Sequence, residues 1–203
     1  REYKSTGSSS YAVESKTIDI AGSPSQWDDV RYTYRDFEGD TMDRDFQGSI
    51  AGYHYTDTSG RNDIVTTKVV TDGEYAYFYV QTAENIEEYT SGTNWMNILI
   101  SVDGEGFAGY DYLINARPNG NTTTVSRFTG SGFEYTNTAS ADLRVNGNVM
   151  LVRVSLSDIG LSGNNVQFSF KVCDNVTSQG DIMDYYVSGD CAPLGRLNYT
   201  YGY

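Results

Sequence analysis

Residues 94–117, NWMNILISVDGEGFAGYDYLINAR, form the stretch that decides the fold. Two runs rich in aromatic and branched side chains flank the turn sequence Asp103-Gly104-Glu105-Gly106, which is typical of a β-hairpin with a glycine-containing loop. Successive side chains of a strand point to opposite faces, so each run has one apolar face and one mixed face. The stretch therefore predicts two paired strands that contribute one side to a hydrophobic core.

The length of the hairpin loop decides which faces of the two strands meet, because a slip of one residue reverses every side chain. An even loop would place Trp95 and Asn97 on the face of Tyr110 and Tyr112. We expect an odd loop, which joins the apolar residues of both strands in the core. The opposite face then collects an indole, amides, a carboxylate and a guanidinium from Trp95, Asn97, Asp111, Asn115 and Arg117.

The remainder of the chain shows the same strand-and-turn character. Eighteen Tyr and 21 Gly among 203 residues favour strands and turns, and short apolar segments recur between turn sequences. We predict strands at 15–20, 51–55, 64–70, 74–82, 123–128, 133–136, 148–156 and 166–172, and after Pro193. The pattern predicts an all-β fold, an antiparallel two-sheet β-sandwich resembling a jelly roll. Residues 1–14 are expected to be a linker or frayed terminus, and 15–203 a single domain.

The net charge of −13 disfavours nucleic acid and anionic membrane surfaces as partners, because both attract basic patches. It is compatible with a neutral ligand, with calcium, or with solubility alone. No apolar run has transmembrane length. The chain does not begin with Met, and we expect it to be part of a longer, secreted protein located outside the cell.

One acidic segment, DFEGDTMDRDFQ at 36–47, is a candidate calcium site. Clustered carboxylates suit the hard Ca²⁺ ion, although their spacing here differs from that of an EF-hand loop. Ion pairs with Arg35 and Arg44 would satisfy the same acids without a metal. The candidate ligands are Asp36, Asp40, Asp43 and Asp45.

The two cysteines, Cys173 and Cys191, lie close to predicted strand ends. In an oxidising compartment they would form a disulfide, and two free thiols are the alternative. The single histidine, His54, lies between tyrosines in AGYHY. It would serve a lyase or glycosidase as an acid or base, or it is simply a strand residue. The sequence holds no GxSxG, HExxH, phosphate-loop or CxxC motif.

Six blocks of the sequence form a recognisable set: GRNDI at 60–64, DGEYAYFYV at 72–80, NWMNILISVD at 94–103, GYDYLIN at 109–115, DN at 174–175 and GDCAPLGRLNYTY at 189–201. Together they resemble the family-9 carbohydrate-binding modules and DOMON-like domains that are attached to secreted bacterial proteins and glycoside hydrolases. The resemblance implies a non-catalytic, sugar-binding β-sandwich, often with structural calcium, beside neighbouring catalytic or repeat modules. Cys191 lies within one of these blocks, and Cys173 immediately precedes another.

The resemblance implies an aromatic clamp of two tryptophans around the sugar. This chain has only Trp27, expected to be buried, and Trp95, so the second ring would come from a tyrosine such as Tyr53 or Tyr55. Aromatic faces, amides and charged groups suit the C–H faces and hydroxyls of a sugar. We therefore predict a module that binds a polysaccharide or glycan without turnover. The alternatives are a polysaccharide lyase or glycosidase domain and a structural or adhesion module that binds no sugar.

Overall fold

The computed structural model describes residues 13–41, 44–105, 109–129, 134–175, 184, 189–195 and 197–203. Strands dominate these ranges, and two single-turn 3₁₀ helices, η1 (Pro24–Trp27) and η2 (Leu156–Ile159), lie between them. The strands are β1 (Tyr32–Arg35), β2 (Arg44–Gln47), β3 (His54–Asp57), β4 (Ile64–Thr71), β5 (Tyr75–Thr82), β6 (Asn97–Ser101), β7 (Tyr112–Ile114), β8 (Thr122–Phe128), β9 (Tyr135–Asn146), β10 (Val149–Ser155), β11 (Phe168–Asp174), β12 (Asp190–Ala192) and β13 (Tyr199–Tyr201). None of the helices described is long and apolar enough to cross a membrane.

Eleven strands form one large sheet in the order β1-β4-β5-β10-β9-β8-β7-β6-β11-β12, with β13 also paired to β11. All pairings between these strands are antiparallel. Strands β2 and β3 form a separate two-stranded sheet. The prediction of an antiparallel all-β fold is confirmed, and the architecture is one large curled sheet with a small hairpin.

The large sheet curls so that strands far apart in its order face each other across the core. The ring of Phe78 in β5 lies 5.6 Å from that of Phe170 in β11. The hydroxyl of Tyr34 in β1 donates a 2.6 Å hydrogen bond to the carbonyl of Thr200 in β13. Burying these rings between the two halves removes a large apolar area from water and stabilises the curl.

The hairpin of β6 and β7 has the expected register. Ile98 pairs with Ile114 and Ile100 with Tyr112, so an odd number of residues lies between the paired positions. All four of these side chains belong to the main hydrophobic core. The odd loop predicted from the alternation is therefore confirmed.

The predicted first strand at 15–20 is wrong, because only Ser15 makes an isolated bridge, with Thr71. Ile18 and Ile20 are nevertheless buried, together with Trp27, in a cluster that also contains Tyr77 of β5. The segment covers the outer face of the sheet through its side chains and makes almost no strand pairing. Trp27 is buried, as the sequence predicts.

Candidate functional site

Trp95, the predicted sugar platform, lies inside the molecule with only 4% of its surface exposed. Its indole N–H donates a 2.7 Å hydrogen bond to the carbonyl of Glu87, and its ring packs against Tyr89 at 5.9 Å between centroids. It belongs to the main core. Because stacking on a sugar needs a free ring face, Trp95 does not offer the open platform that the alternation predicts.

The two predicted amides, Asn97 and Asn115, are also buried. The Asn97 amide donates to the Asn115 carbonyl at 2.8 Å, and the Asn115 amide donates to the carbonyl of Met96 at 3.0 Å. Thr123 donates its hydroxyl hydrogen to the Asn115 side-chain oxygen at 2.7 Å. Asn115 has a φ of 72°, a left-handed conformation that asparagine tolerates better than most residues. These amides therefore satisfy the backbone where β6 and β7 diverge.

A second apolar cluster explains why this face is closed. Leu99 and Leu113 point to the side opposite the main core and pack with Tyr110, Cys173 and Cys191. The hairpin is therefore covered on both faces. The alternating pattern marks a side that differs from the core, but it does not show whether that side is exposed to solvent.

The other predicted sugar ligands are dispersed. Asp111 is half-buried and accepts a 2.7 Å hydrogen bond from the Val102 amide, whereas Arg117 is exposed. Tyr53 is 38% exposed on the β2–β3 hairpin, but Tyr55 is 1% exposed, with its ring 5.6 Å from that of Phe46. The predicted set does not come together as one site.

His54 lies on the exposed face of the β2–β3 hairpin, in contact with the carboxylate of Asp45. Asp45 pairs with Thr56 and His54 with Gln47, so the two residues are diagonal neighbours on the same face of the small sheet. Asp45 is one of the predicted calcium ligands, and the structure places it in this contact. Asp43, another predicted ligand, lies outside the described residues.

Three carboxylates from distant parts of the chain meet near the remaining predicted calcium ligands. Asp40, Asp63 and Asp190 each place a side-chain oxygen within 4.8 Å of the others. Burial raises the pKa of Asp190 to about 8, and burial together with the neighbouring Asp36 raises that of Asp40 to about 6. Of the predicted ligands, only Asp40 is a member of this cluster. Asp36 lies beside it and accepts hydrogen bonds from the Phe37 amide and the Tyr199 hydroxyl.

Sequence reasoning missed Asp63 and Asp190, although both lie in blocks that carry the family resemblance, GRNDI and GDCAPLG. Their meeting depends on the approach of β4 and β12, two strands far apart in sequence, which the spacing of acids within one segment does not reveal. GRNDI and a further block, DN at 174–175, supply a buried ion pair. The Arg61 guanidinium donates from Nε to Asp174 at 3.0 Å, and Asp174 also accepts from the Met96 amide at 3.0 Å.

Cys173 and Cys191 face each other on β11 and β12, as directly paired residues. Their sulfur atoms are 3.1 Å apart, well beyond the roughly 2.05 Å of a disulfide bond, and both are free thiols. The predicted disulfide is therefore corrected to a buried pair of thiols. Burial, with a hydrogen bond from Cys191, raises the pKa of the Cys173 thiol well above its usual range.

An open groove of about 270 Å³ crosses the outer face of the large sheet. Its floor is formed by the neighbouring strands β5, β10, β9 and β8, with η2 at one end. The polar side chains that line it are Tyr75, Thr122, Ser140, Asp142, Arg153, Ser155 and Asp158. The sequence analysis did not identify this groove. Its only sign in the sequence is the polar half of the alternation in β9 and β10.

Strand register explains why these side chains converge. Arg153 pairs with Asp142, and Asp142 pairs with Thr122, so the three form a row across β10, β9 and β8. Paired residues of antiparallel strands point to the same face. In the next row, Ser155 pairs with Tyr75.

A guanidinium organises the centre of the groove. Arg153 donates from Nε to Asp142 at 2.7 Å, and its guanidinium carbon lies 4.9 Å from the centre of the Tyr75 ring. More than a third of each charged side chain is accessible to solvent. The contact between Arg153 and Tyr75 is a cation–π interaction, which holds the arginine while leaving other N–H groups for a ligand.

The sequence was also compared with known proteins. No family model matches this chain, and no curated protein matches it.

Proposed function

We propose that this chain is a non-catalytic carbohydrate-binding module and that the groove across β5, β10, β9 and β8 receives the sugar. The observation that carries the proposal is the groove itself, an open polar channel of about 270 Å³ beside a tyrosine ring. Its size is slightly below the roughly 300–1,000 Å³ common for sites of drug-sized ligands, which favours a short stretch of glycan.

The chemistry of the lining supports a polyhydroxylated ligand. Sugar hydroxyls both donate and accept, and they are matched by the Asp142 carboxylate, the Arg153 guanidinium and the hydroxyls of Thr122, Ser140 and Ser155. The edge of Tyr75 supplies apolar contact for ring C–H groups. The strands beneath make the donors and acceptors rigid, so binding orders few side chains.

The charge of the groove favours a neutral glycan over an acidic one. Two carboxylates, Asp142 and Asp158, face a single guanidinium, that of Arg153. The whole chain carries a net charge of −13, which repels polyanions at low ionic strength. Uronic-acid polymers are therefore expected to bind more weakly than neutral polysaccharides.

The wider setting is part of the same proposal. The sequence blocks that resemble family-9 carbohydrate-binding modules and DOMON-like domains support a sandwich-like module in a secreted, extracellular protein. Such a module would be covalently linked to catalytic or repeat modules. It would hold the larger protein on its substrate, while turnover would take place elsewhere.

Affinity electrophoresis and calorimetry with a polysaccharide panel test the proposal. Glucans, xylans, mannans and galactans should be compared with polygalacturonate and alginate. Ser140→Trp places a large ring in the groove from an exposed position of β9, and Thr136→Trp adds the same ring on the same strand outside it. We expect retardation by a neutral polymer that Ser140→Trp abolishes and Thr136→Trp preserves.

Three other outcomes would overturn the proposal. Retardation that is unchanged in Ser140→Trp would place the sugar elsewhere on the surface. New reducing ends or unsaturated products during incubation would indicate a glycosidase or lyase. The absence of retardation across the panel, with a folded protein, would favour a spacer or adhesion role.

A further inference from the structure

We propose that Asp40, Asp63 and Asp190 bind a divalent cation, most suitably Ca²⁺, which connects three separate segments of the chain. Asp40 lies in the loop after β1, Asp63 immediately precedes β4, and Asp190 begins β12. This inference is independent of the groove, which lies on the outer face of β5, β10, β9 and β8.

Three carboxylates that approach this closely repel one another unless something neutralises them. Their oxygens lie within 4.8 Å of one another, and Asp190 is only 2% exposed, so water screens the repulsion weakly. Two side-chain cations act electrostatically on this region, Arg44 on Asp40 and Lys171 on Asp36, and both are bound to backbone carbonyls. Arg44 donates to Gly189, and Lys171 donates to Pro193 and Gly195. Among the described residues, no ion pair joins Arg44 or Lys171 to the cluster.

Unsatisfied oxygens provide a second, independent observation. Both carboxylate oxygens of Asp40 and Oδ1 of Asp63 are sealed from solvent, each exposing less than 1 Å², and none has a hydrogen-bond partner in the part of the chain described. Buried polar atoms in native proteins nearly always have partners, since leaving a charged group without one is costly. A bound cation would satisfy all three oxygens at once.

Backbone hydrogen bonds hold the cluster in a form suited to binding. The Gly39 amide donates to Oδ2 of Asp63 at 2.6 Å, and the Ile64 amide donates to Oδ2 of Asp190 at 2.5 Å. These bonds fix two of the carboxylates and leave Oδ1 of Asp63 free to coordinate. The arrangement resembles the outer-shell support that orients metal ligands in proteins.

The donor set selects a hard cation. All three groups are carboxylates, without histidine or cysteine, which favours Ca²⁺ or Mg²⁺ over zinc or copper. Ca²⁺ takes oxygen ligands at about 2.3–2.6 Å, so opposite ligands are separated by up to about 4.6–5.2 Å. The spacing of the cluster fits within that sphere. Flexible Ca²⁺ coordination also tolerates ligands from three unrelated segments better than the strict octahedron of Mg²⁺.

Thermal unfolding with CaCl₂ or EDTA, together with calorimetric titration of CaCl₂ alone, tests the site. At a hundredfold excess over Kd, calcium should raise the Tm of the wild-type protein by roughly 5–10 °C. Asp40→Asn should weaken calcium binding by at least about tenfold, which removes about half of this rise or more. Asp45→Asn should retain the rise, because Asp45 lies on the exposed hairpin face beside His54.

The same variant separates a metal ligand from a merely structural residue. In EDTA, Asp40→Asn should unfold at or above the Tm of the wild type, because it replaces a carboxylate whose oxygens are buried without partners by a neutral amide. With calcium, it should unfold below the wild type. Asp63→Asn provides the same comparison if Asp40→Asn does not fold. An absent calcium response in the wild type, or an undiminished response in both variants, would overturn the proposal.

Discussion

At the scale of single residues, Trp95 has a ring that could stack on a sugar, but the structure uses that ring in the core. Its ring fills the main core, and its N–H is satisfied by a backbone carbonyl. An indole with both properties contributes through apolar burial and through a hydrogen bond that a smaller side chain cannot replace. Removing the indole is therefore expected to lower the stability of the fold.

Trp95→Ala should lower the free energy of unfolding by about 3–5 kcal/mol, because it leaves a cavity of tryptophan size. Urea unfolding followed by circular dichroism measures the loss. Tyr203→Ala is a suitable control, since Tyr203 is 38% exposed at the end of the chain. A loss below about 1 kcal/mol, the level usual for surface substitutions, would show that the indole is not part of the core.

The cysteine pair leads to a second prediction at this scale. Because burial raises the pKa of Cys173 and both sulfurs are inaccessible, neither thiol should react with a disulfide reagent such as DTNB in the native protein. Two thiols should be titrated after unfolding in guanidinium without reductant. Fewer than two under those conditions would reveal a disulfide.

The residues of the predicted sugar site show what the sequence could and could not indicate. Alternation correctly separated the core side of β6 and β7 from the opposite side. It did not reveal that Leu99 and Leu113 are covered by a second cluster, because that cluster is assembled from β11 and β12. The identity of a face follows from local sequence, but its exposure depends on strands more than fifty residues away.

At the scale of elements, the sequence predicted the long strands best. The runs at 64–70, 74–82 and 148–156 correspond to β4, β5 and β10, whose residues are held on both sides by neighbouring strands. The segment at 15–20 alternates in the same way but makes only one bridge, between Ser15 and Thr71. Its apolar side chains pack on the face of the sheet, and its backbone does not pair along an edge strand. Pattern alone cannot distinguish pairing within a sheet from packing on top of it.

A buried ion pair between Arg61 and Asp174 also joins two elements. Arg61 lies in the turn before β4, and Asp174 is the last residue of β11. The Asp174 side chain is fully buried and the Arg61 side chain is 13% exposed. Burial raises the pKa of Asp174, and the neighbouring Arg61 opposes that shift. Such a pair is costly to break, because the remaining charge has no water to solvate it.

Arg61→Ala should therefore lower stability by about 3–5 kcal/mol, and the double variant Arg61→Ala with Asp174→Asn should lose less than the sum of the single losses. Urea unfolding of the four proteins in the cycle provides the measurement. Arg153→Ala serves for comparison, because Arg153 and Asp142 form an exposed pair that should contribute no more than about 1 kcal/mol. Additive losses at Arg61 and Asp174 would contradict the coupling.

At the scale of the whole molecule, the main core extends through both halves of the curled sheet. Tyr32 of β1, Phe78 of β5, Ile114 of β7 and Phe170 of β11 all belong to one continuous cluster. Every strand of the large sheet contributes side chains to this cluster, so the sheet is joined by one shared core. The molecule is therefore expected to unfold as a unit.

Thermal or urea unfolding should give a single transition in which far-UV circular dichroism and tryptophan fluorescence coincide. Trp27 lies in the outer cluster and Trp95 in the main core, so the two indoles report on different sides of the sheet. Trp95→Phe and Trp27→Phe, measured separately, should give the same midpoint by fluorescence as by circular dichroism. Separate midpoints would show that the outer segment unfolds independently.

The pairing at the end of the large sheet has a consequence for crowded solutions. Strand β11 is bordered on one side by two three-residue strands, β12 and β13, and the Lys171 amine is bound to carbonyls of the segment between them. At the other end, β1 has only four residues. Long unpaired strands invite neighbouring molecules to add to a sheet, and short ones do not. Copies held side by side would thus find, in the part of the chain that the structure describes, no sheet edge long enough to exchange a strand.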